Sequence, residues 1–298
     1  MTTQPITPTR SLPILTWTWK GHDIRYTVMG SGRPLILLHG FGASIGHWRQ
    51  NIPELADGGY RVFAVDLLGF GSSAKPPIDY TVELWQELLH DFWHELVQTP
   101  AIFVGNSIGA LLSLMLLADH PEIAAGGVLL NAAGGLNHRP EELNFPLSLV
   151  MQGFTKVVSS KRLGPFLFNR IRQKARLRRT LLQVYGDPNA VTDELIDLIY
   201  EPSCDPGAQK VFASILTAPP GPSPAELLPN ITQPLLVLWG EADPWTPIKG
   251  AAMYQTLAER SPQQVKFVSI PNAGHCPHDE CPELVNRLML DWLQELEG

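Results

Sequence analysis

Cysteine is scarce in this 298-residue chain. Cys204, Cys276 and Cys281 are too few for a disulfide framework, and no Cys-x-x-Cys pair offers a zinc site. Long apolar runs are missing as well. No stretch reaches eighteen residues, so no membrane span is expected. The opening Met1-Thr2-Thr3-Gln4-Pro5 lacks a basic segment followed by an apolar one, so no secretory signal is expected. A basic excess is absent too: 22 Lys and Arg against 29 Asp and Glu leave a net charge of −7. Broad nucleic-acid binding needs a basic footprint and is therefore not expected. Nor is there an internal repeat or a low-complexity tract. What remains is a soluble intracellular protein, 44% hydrophobic, long enough for one large domain or a domain carrying an insertion.

The most informative stretch is 101–110, Ala-Ile-Phe-Val-Gly-Asn-Ser-Ile-Gly-Ala. A short apolar run ends in Gly105-Asn106-Ser107-Ile108-Gly109, and a helical Leu/Met-rich pattern follows to Ala118. This strand, sharp turn and helix with serine at the apex is a nucleophile elbow. Gly105 and Gly109 lack Cβ atoms, so strand and helix can close on each other around a strained serine. The Ile108 N–H then lies at the helix start, facing any oxyanion that forms beside Ser107.

Around the elbow, short apolar runs alternate with helical patterns. Residues 14–19 and 22–28 predict a hairpin about Lys20-Gly21, and strands are expected at 35–38, 60–66, 126–130, 234–239 and 265–270. Helices are expected at 48–56, 81–97 with Thr81 as cap, 250–260 and 282–296. The alternation predicts an α/β fold, a mostly parallel sheet with helices on both faces. It breaks between 137 and 229, where only helical patterns occur, clearest at 143–158, 166–184 and 192–200. Residues 137–229 are therefore expected to form a helical cap inserted into a core of 1–136 and 230–298, with 219–224 as a proline-rich connector.

Four segments end predicted strands and should share one sheet edge, where such sheets bind ligands. They are His39-Gly40-Phe41-Gly42, Ser107, Gly240-Glu241-Ala242-Asp243-Pro244 and Ala273-Gly274-His275. In the order Ser, Asp, His, Ser107 is the candidate nucleophile and His275 its general base. Asp243 is the candidate acid that fixes the imidazole, preferred over Glu241, which lies earlier in its loop. Phe41 and Ile108 are the candidate backbone oxyanion donors, and Phe41 and Trp245 the candidate substrate contacts, with Trp48 a further flanking aromatic.

The motifs HGFG (39–42), DLLGFGSS (66–73), GNSIGA (105–110), WGEADPW (239–245) and NAGHCPHDE (272–280) resemble those of the α/β-hydrolase superfamily over nearly the whole chain. The resemblance implies that fold, the Ser107–Asp243–His275 triad and a cofactor-independent serine hydrolase acting on a carboxylic ester. Ser107 stands where epoxide hydrolases and haloalkane dehalogenases carry aspartate, so alkyl-enzyme chemistry is not expected. The segment 275–286, with Asp243-Pro244-Trp245 and Gly105-Asn106-Ser107, is similar to plant-plastid and cyanobacterial hydrolases of the pheophytinase and chlorophyll dephytylase type. That implies a bulky hydrophobic substrate such as a phytyl ester, in a plastid or cyanobacterial interior. Two other readings share the triad: a small-molecule receptor with little turnover, and a perhydrolase or haloperoxidase-like enzyme.

The remaining candidates read more simply. The run His275-Cys276-Pro277-His278-Asp279-Glu280-Cys281 superficially resembles a metal cluster, but a metal there would consume the triad histidine, so none is expected. Cys276 and Cys281 read as packed thiols, His278 and His39 as structural histidines, and Asp66 as a turn support. The basic run at 170–179, with Phe166, Phe168, Leu177, Leu181 and Leu182 beside it, reads as a solvated helix face or as a contact for an anionic lipid surface.

Overall fold

Lys20 and Gly21 both adopt positive φ, 46° and 80°, and fold β1 (Leu15–Trp19) back on β2 (His22–Met29). Two left-handed residues give the tight turn whose twist matches the flanking strands. β2 pairs antiparallel with β4 (Arg61–Val65). Every other pairing is parallel and involves β3 (Pro34–Leu38), β5 (Ala101–Asn106), β6 (Ala124–Leu130), β7 (Leu235–Gly240) and β8 (Val265–Ile270). The strand order is β1-β2-β4-β3-β5-β6-β7-β8 in this computed structural model, which describes residues 12–137, 156–158, 160 and 162–297.

The central strands are apolar throughout because both faces are covered. Side chains alternate across the pleat. Ile36, Leu38, Phe63, Phe103, Leu129 and Val237 face a core closed by α2 (Val82–Phe92) and α3 (Ile108–Asp119). Leu35, Leu37, Val62, Val104, Leu130 and Leu238 face the other way. There they meet Ile52 and Leu55 of α1 (Ile52–Asp57) and Val285, Met289 and Trp292 of the C-terminal helix Pro282–Glu295.

Thr81 caps α2, its Oγ1 accepting from the Leu84 N–H at 3.2 Å, as its sequence predicts. The helix expected at 48–56 is instead a 3-10 turn, Ile45–Trp48, followed by α1. Pro53 sits in the first turn of α1, where its missing N–H costs nothing, so a new helix starts there. The pattern at 166–184 also divides, into α4 (Leu163–Ile171) and α5 (Lys174–Val184). In one straight helix Ile171 and Leu177 would point about 120° apart. The break, where Gln173 is extended with ψ 130°, lets both helices present apolar side chains to the same cleft. Next come α6 (Asp193–Ser203) and α7 (Ala208–Thr217). Residues 138–155, which hold most of the helix expected at 143–158, lie outside the described residues; 156–158 are helical. The expected connector at 219–224 ends in a capped helical turn, Pro224–Leu227 with Ser223 as its cap, against α3. Among the described residues no helix is long and apolar enough to cross a membrane.

The elbow depends on two glycines. A Cβ on Gly105 would lie 2.2 Å from the Gly109 carbonyl carbon, and one on Gly109 would lie 2.2 Å from the Leu38 oxygen. Both obstacles are backbone, so nothing can swing aside. Gly109→Ala should therefore destabilise the fold by about 3 kcal/mol or more, seen as a lowered melting temperature. Gly250→Ala is the control: nothing lies within 4 Å of its added Cβ, so stability should hold within about 0.5 kcal/mol.

Candidate active site

The carboxyl ends of β3, β5, β7 and β8 do meet at one edge, as parallel strands require. Ser107 follows β5 with φ 56° and ψ −116°, a strained conformation for a residue with a side chain. Its N–H donates to Leu130 O at 3.0 Å, and its carbonyl accepts from Ala133 N at 3.1 Å, so the end of β6 pins the turn. The β3 loop runs close beside it: a Cβ on Gly40 would lie 3.2 Å from the Ser107 Cβ. Among the described residues no acceptor takes the backbone N–H of Phe41 or of Ile108. Both donors are thus left for a ligand.

His275 is held from three sides. Its Nδ1 lies 2.6 Å from Asp243 Oδ2, its N–H donates to Val184 O at 2.8 Å, and its carbonyl accepts from Asn106 Nδ2 at 2.8 Å. Asp243 Oδ2 also accepts from Asn131 Nδ2 at 2.8 Å and from the Thr246 hydroxyl, while Oδ1 accepts from the Trp245 N–H at 2.7 Å. Burial pushes the Asp243 carboxyl up, but the His275 bond and charge, then Thr246 and the Trp245 N–H, outweigh it and hold it at about 2. The rival carboxylate, Glu241, is exposed. No hydrogen bond joins Ser107 and His275 in this rotamer, although both line the same cleft. Such bonds are often loose until substrate arrives.

That cleft has a volume of about 880 Å³ and lies between the sheet edge and helices α4 to α7. Phe41 and Trp245 line it, with 39% and 55% of their surfaces exposed, and the Trp245 ring meets the His275 ring edge-on at 5.2 Å. Helices α4, α5 and α7 contribute Phe168, Ile171, Leu177, Leu181, Val211 and Phe212. Trp48 does not reach the cleft. It is fully buried against His278, with ring centroids 4.1 Å apart.

The simpler readings mostly follow their chemistry. His39 donates from Nδ1 to Gly40 O at 2.8 Å and accepts the Leu67 N–H at Nε2, 3.1 Å away, so it knits two loops. Burial lowers its pKa to about 4, keeping it neutral. Asp66 accepts from the Ile45 and Ser72 N–H groups, both at 2.7 Å. Burial raises its carboxyl to about 6 against the pull of those bonds. Cys276 is buried, Cys281 half-buried, and His278 buried and held neutral by desolvation. A different group, His90, His120 and Glu122, brings its donor atoms within 4.8 Å of one another. It lies at the far end of α3 from Ser107.

Four supporting residues escape a sequence reading. Asn106 ties the elbow to the His275 loop, Asn131 and Thr246 orient Asp243, and Glu280 clamps the segment after α5. Glu280 accepts from Gly274 N at 2.9 Å, Asp187 N at 2.9 Å and Gly186 N at 3.1 Å, joining the His275 loop to the segment after α5. Asn106 and Asn131 both stand at strand ends, and an asparagine that merely serves a turn would look the same in the sequence.

Comparison with known proteins agrees with this architecture. The chloroplastic pheophytinase of Arabidopsis thaliana is 28% identical over 89% of this chain, which spans 62% of that relative's length. The 2-hydroxy-6-oxo-6-(2'-aminophenyl)hexa-2,4-dienoic acid hydrolase of Metapseudomonas resinovorans is 30% identical, covering 88% of this chain and 84% of the relative. A solved membrane phospholipase A superposes with a TM-score of 0.76 at 25% identity, over 96% of this chain and 87% of its own. The family profile described as "Alpha/beta hydrolase family" matches residues 35–288, and the chain belongs to that family.

Proposed function

We propose that the protein is a serine hydrolase that cleaves a bulky, apolar carboxylic ester through an acyl-enzyme. One observation carries this reading: a strained serine and a carboxylate-anchored histidine line the same cleft, beside two backbone N–H groups with no partner among the described residues. Ser107 Oγ attacks the ester carbonyl carbon and its proton passes to His275 Nε2. The carbonyl oxygen becomes an oxyanion between the Phe41 and Ile108 N–H groups. Collapse expels the alcohol, which takes the proton from His275. Water then attacks the acyl-enzyme, gives its proton to His275, and the acid leaves as Ser107 regains its hydrogen. Asp243 stabilises the imidazolium in both halves. Every group needed is a side chain or backbone amide of this chain.

Support for the substrate comes from the cleft and from kinship. About 880 Å³ is generous for a small ester and lies toward the upper end of ligand pockets. Its walls are largely aliphatic and aromatic, and one relative is a pheophytinase. The phytyl ester of a chlorophyll-type pigment is accordingly the first substrate to test. Purified protein incubated with pheophytin and chlorophyll should release phytol, read by chromatography, and Ser107→Ala protein should not. Cleavage of a 2-hydroxy-6-oxodienoic acid with no action on the pigment ester would overturn the substrate.

The cap should set substrate size. Leu181→Ala and Phe212→Ala remove cleft-lining side chains without touching Ser107, Asp243 or His275. Each contact is worth about 1–3 kcal/mol to a chain that fills the cleft, so kcat/KM for a long or phytyl ester should fall tenfold or more. Acetate esters should be little affected. Parallel losses on both would mean that the cap only stabilises the enzyme.

A further inference from the structure

Charge along this acidic chain is unevenly placed. Nine of the 22 Lys and Arg residues fall between Lys156 and Gly186, a stretch without a single Asp or Glu. The remaining thirteen share the rest of the chain with all 29 acidic residues. The cationic stretch includes α4 and α5, whose inner faces line the cleft through Phe168, Ile171, Leu177 and Leu181. Their outer faces carry a different set. Leu163, Phe166 and Arg170 are exposed on α4, at the spacing of one helical stripe, with Arg162 beside them. Arg176, Arg179 and Leu182 form the matching stripe on α5.

Phe166 is 67% exposed, Leu163 53% and Leu182 45%, large apolar side chains standing among cations. Neighbouring acids do not quench the patch. Asp197 pairs with Lys174 and Asp193 with Arg178, whereas Arg162, Arg170, Arg176 and Arg179 have no ion pair among the described residues. Arginines interleaved with Phe and Leu on exposed helix faces suit an anionic lipid surface, where cations meet headgroups and apolar tips enter the acyl boundary. A nucleic acid would leave the leucines unused. An acidic face of a second copy matches the arginines equally well, but leaves Phe166 and Leu163 without an apolar counterpart.

We propose that the outer faces of α4 and α5 dock the protein on an anionic lipid bilayer, placing the cleft lined by their inner faces next to the membrane. The gain for catalysis rests on the hydrolase reading, since a water-insoluble ester would then enter from the bilayer rather than from solution. The docking itself does not rest on it. Co-flotation with phosphatidylcholine vesicles, with and without phosphatidylglycerol, tests the surface without any turnover.

Wild-type and Ser107→Ala proteins should float alike with the anionic vesicles and not with the neutral ones, and high salt should release both. The double variant Arg176→Glu/Arg179→Glu should lower the partition coefficient at least about twenty-fivefold, at about fivefold for each arginine lost before the repulsion of the added glutamates is counted. Phe166→Ser, at a mostly exposed site, should lower it severalfold, and both variants should keep the wild-type circular-dichroism melt. Wild-type protein that ignores anionic vesicles would overturn the docking surface. So would flotation that survives both variants, which would place any membrane contact elsewhere. Concentration-dependent self-association, abolished by the arginine reversals without vesicle binding, would reassign the patch to a second copy. Loss of soluble-ester turnover in Ser107→Ala alone speaks to the chemistry and leaves this result untouched.

Discussion

Ser107→Ala should lower ester turnover by roughly four or more orders of magnitude while leaving the fold and substrate binding nearly unchanged. The loss is large because, in the proposed mechanism, the oxygen removed forms the acyl bond, and water in the cleft lacks its fixed position. The fold should survive because the strain at φ 56° lies in the backbone, which Gly105, Gly109 and the Leu130 and Ala133 hydrogen bonds hold in place. Alanine has the same Cβ and meets the same neighbours, including Gly40. Steady-state rates on a soluble ester, with a melt of both proteins, give the comparison. A fluorophosphonate probe should label wild-type protein at Ser107 alone. Label on another residue, or a rate that survives the substitution, would remove Ser107 from the chemistry.

The elbow was legible because its logic is local. Two glycines four residues apart, a preceding apolar run and a following helical pattern all fall within about twenty residues, and each constrains the next. Buried strands such as Leu35 to Leu38 were legible for a similar reason, since a chain covered on both faces has no polar alternation to lose. The parallel pairing of the central strands followed once the connections were read as helical crossovers. What escaped is non-local. Asn131 meets Asp243 across 112 residues and Asn106 meets His275 across 169, and neither asparagine differs in sequence from one that serves a turn. Trp48 flanks a loop motif and yet packs inward on His278, because burial depends on a partner 230 residues away. The break after Arg172 was hidden as well: no proline or glycine marks it, and only the shared cleft gives it a purpose.

The supporting shell changes how the acid should be tested. Asp243 holds four donors on two oxygens: His275 Nδ1, Asn131 Nδ2 and the Thr246 hydroxyl on Oδ2, and the Trp245 N–H on Oδ1. An amide has one accepting oxygen. In Asp243→Asn, turning that oxygen toward His275 sets the NH2 against the Trp245 N–H. Turning it the other way sets the NH2 against three donors and forces His275 to accept at Nδ1, which leaves Nε2 protonated and unable to take the Ser107 proton. Either orientation also lacks the negative charge that stabilises the imidazolium. Turnover should therefore fall by roughly four orders of magnitude. Glu241→Gln, at an exposed position, should leave the rate unchanged, and a reversal of the two effects would exchange their roles. Stability supplies a second readout. With its carboxyl held at about 2 against an ordinary 3.8, Asp243 contributes stability that is fully present above pH 3.8 and lost as pH falls through 2. Unfolding followed across that window should show a shallower acid loss in Asp243→Asn than in wild type, from a lower starting stability. An unchanged slope would mean that the buried carboxylate is not what the acid limb titrates.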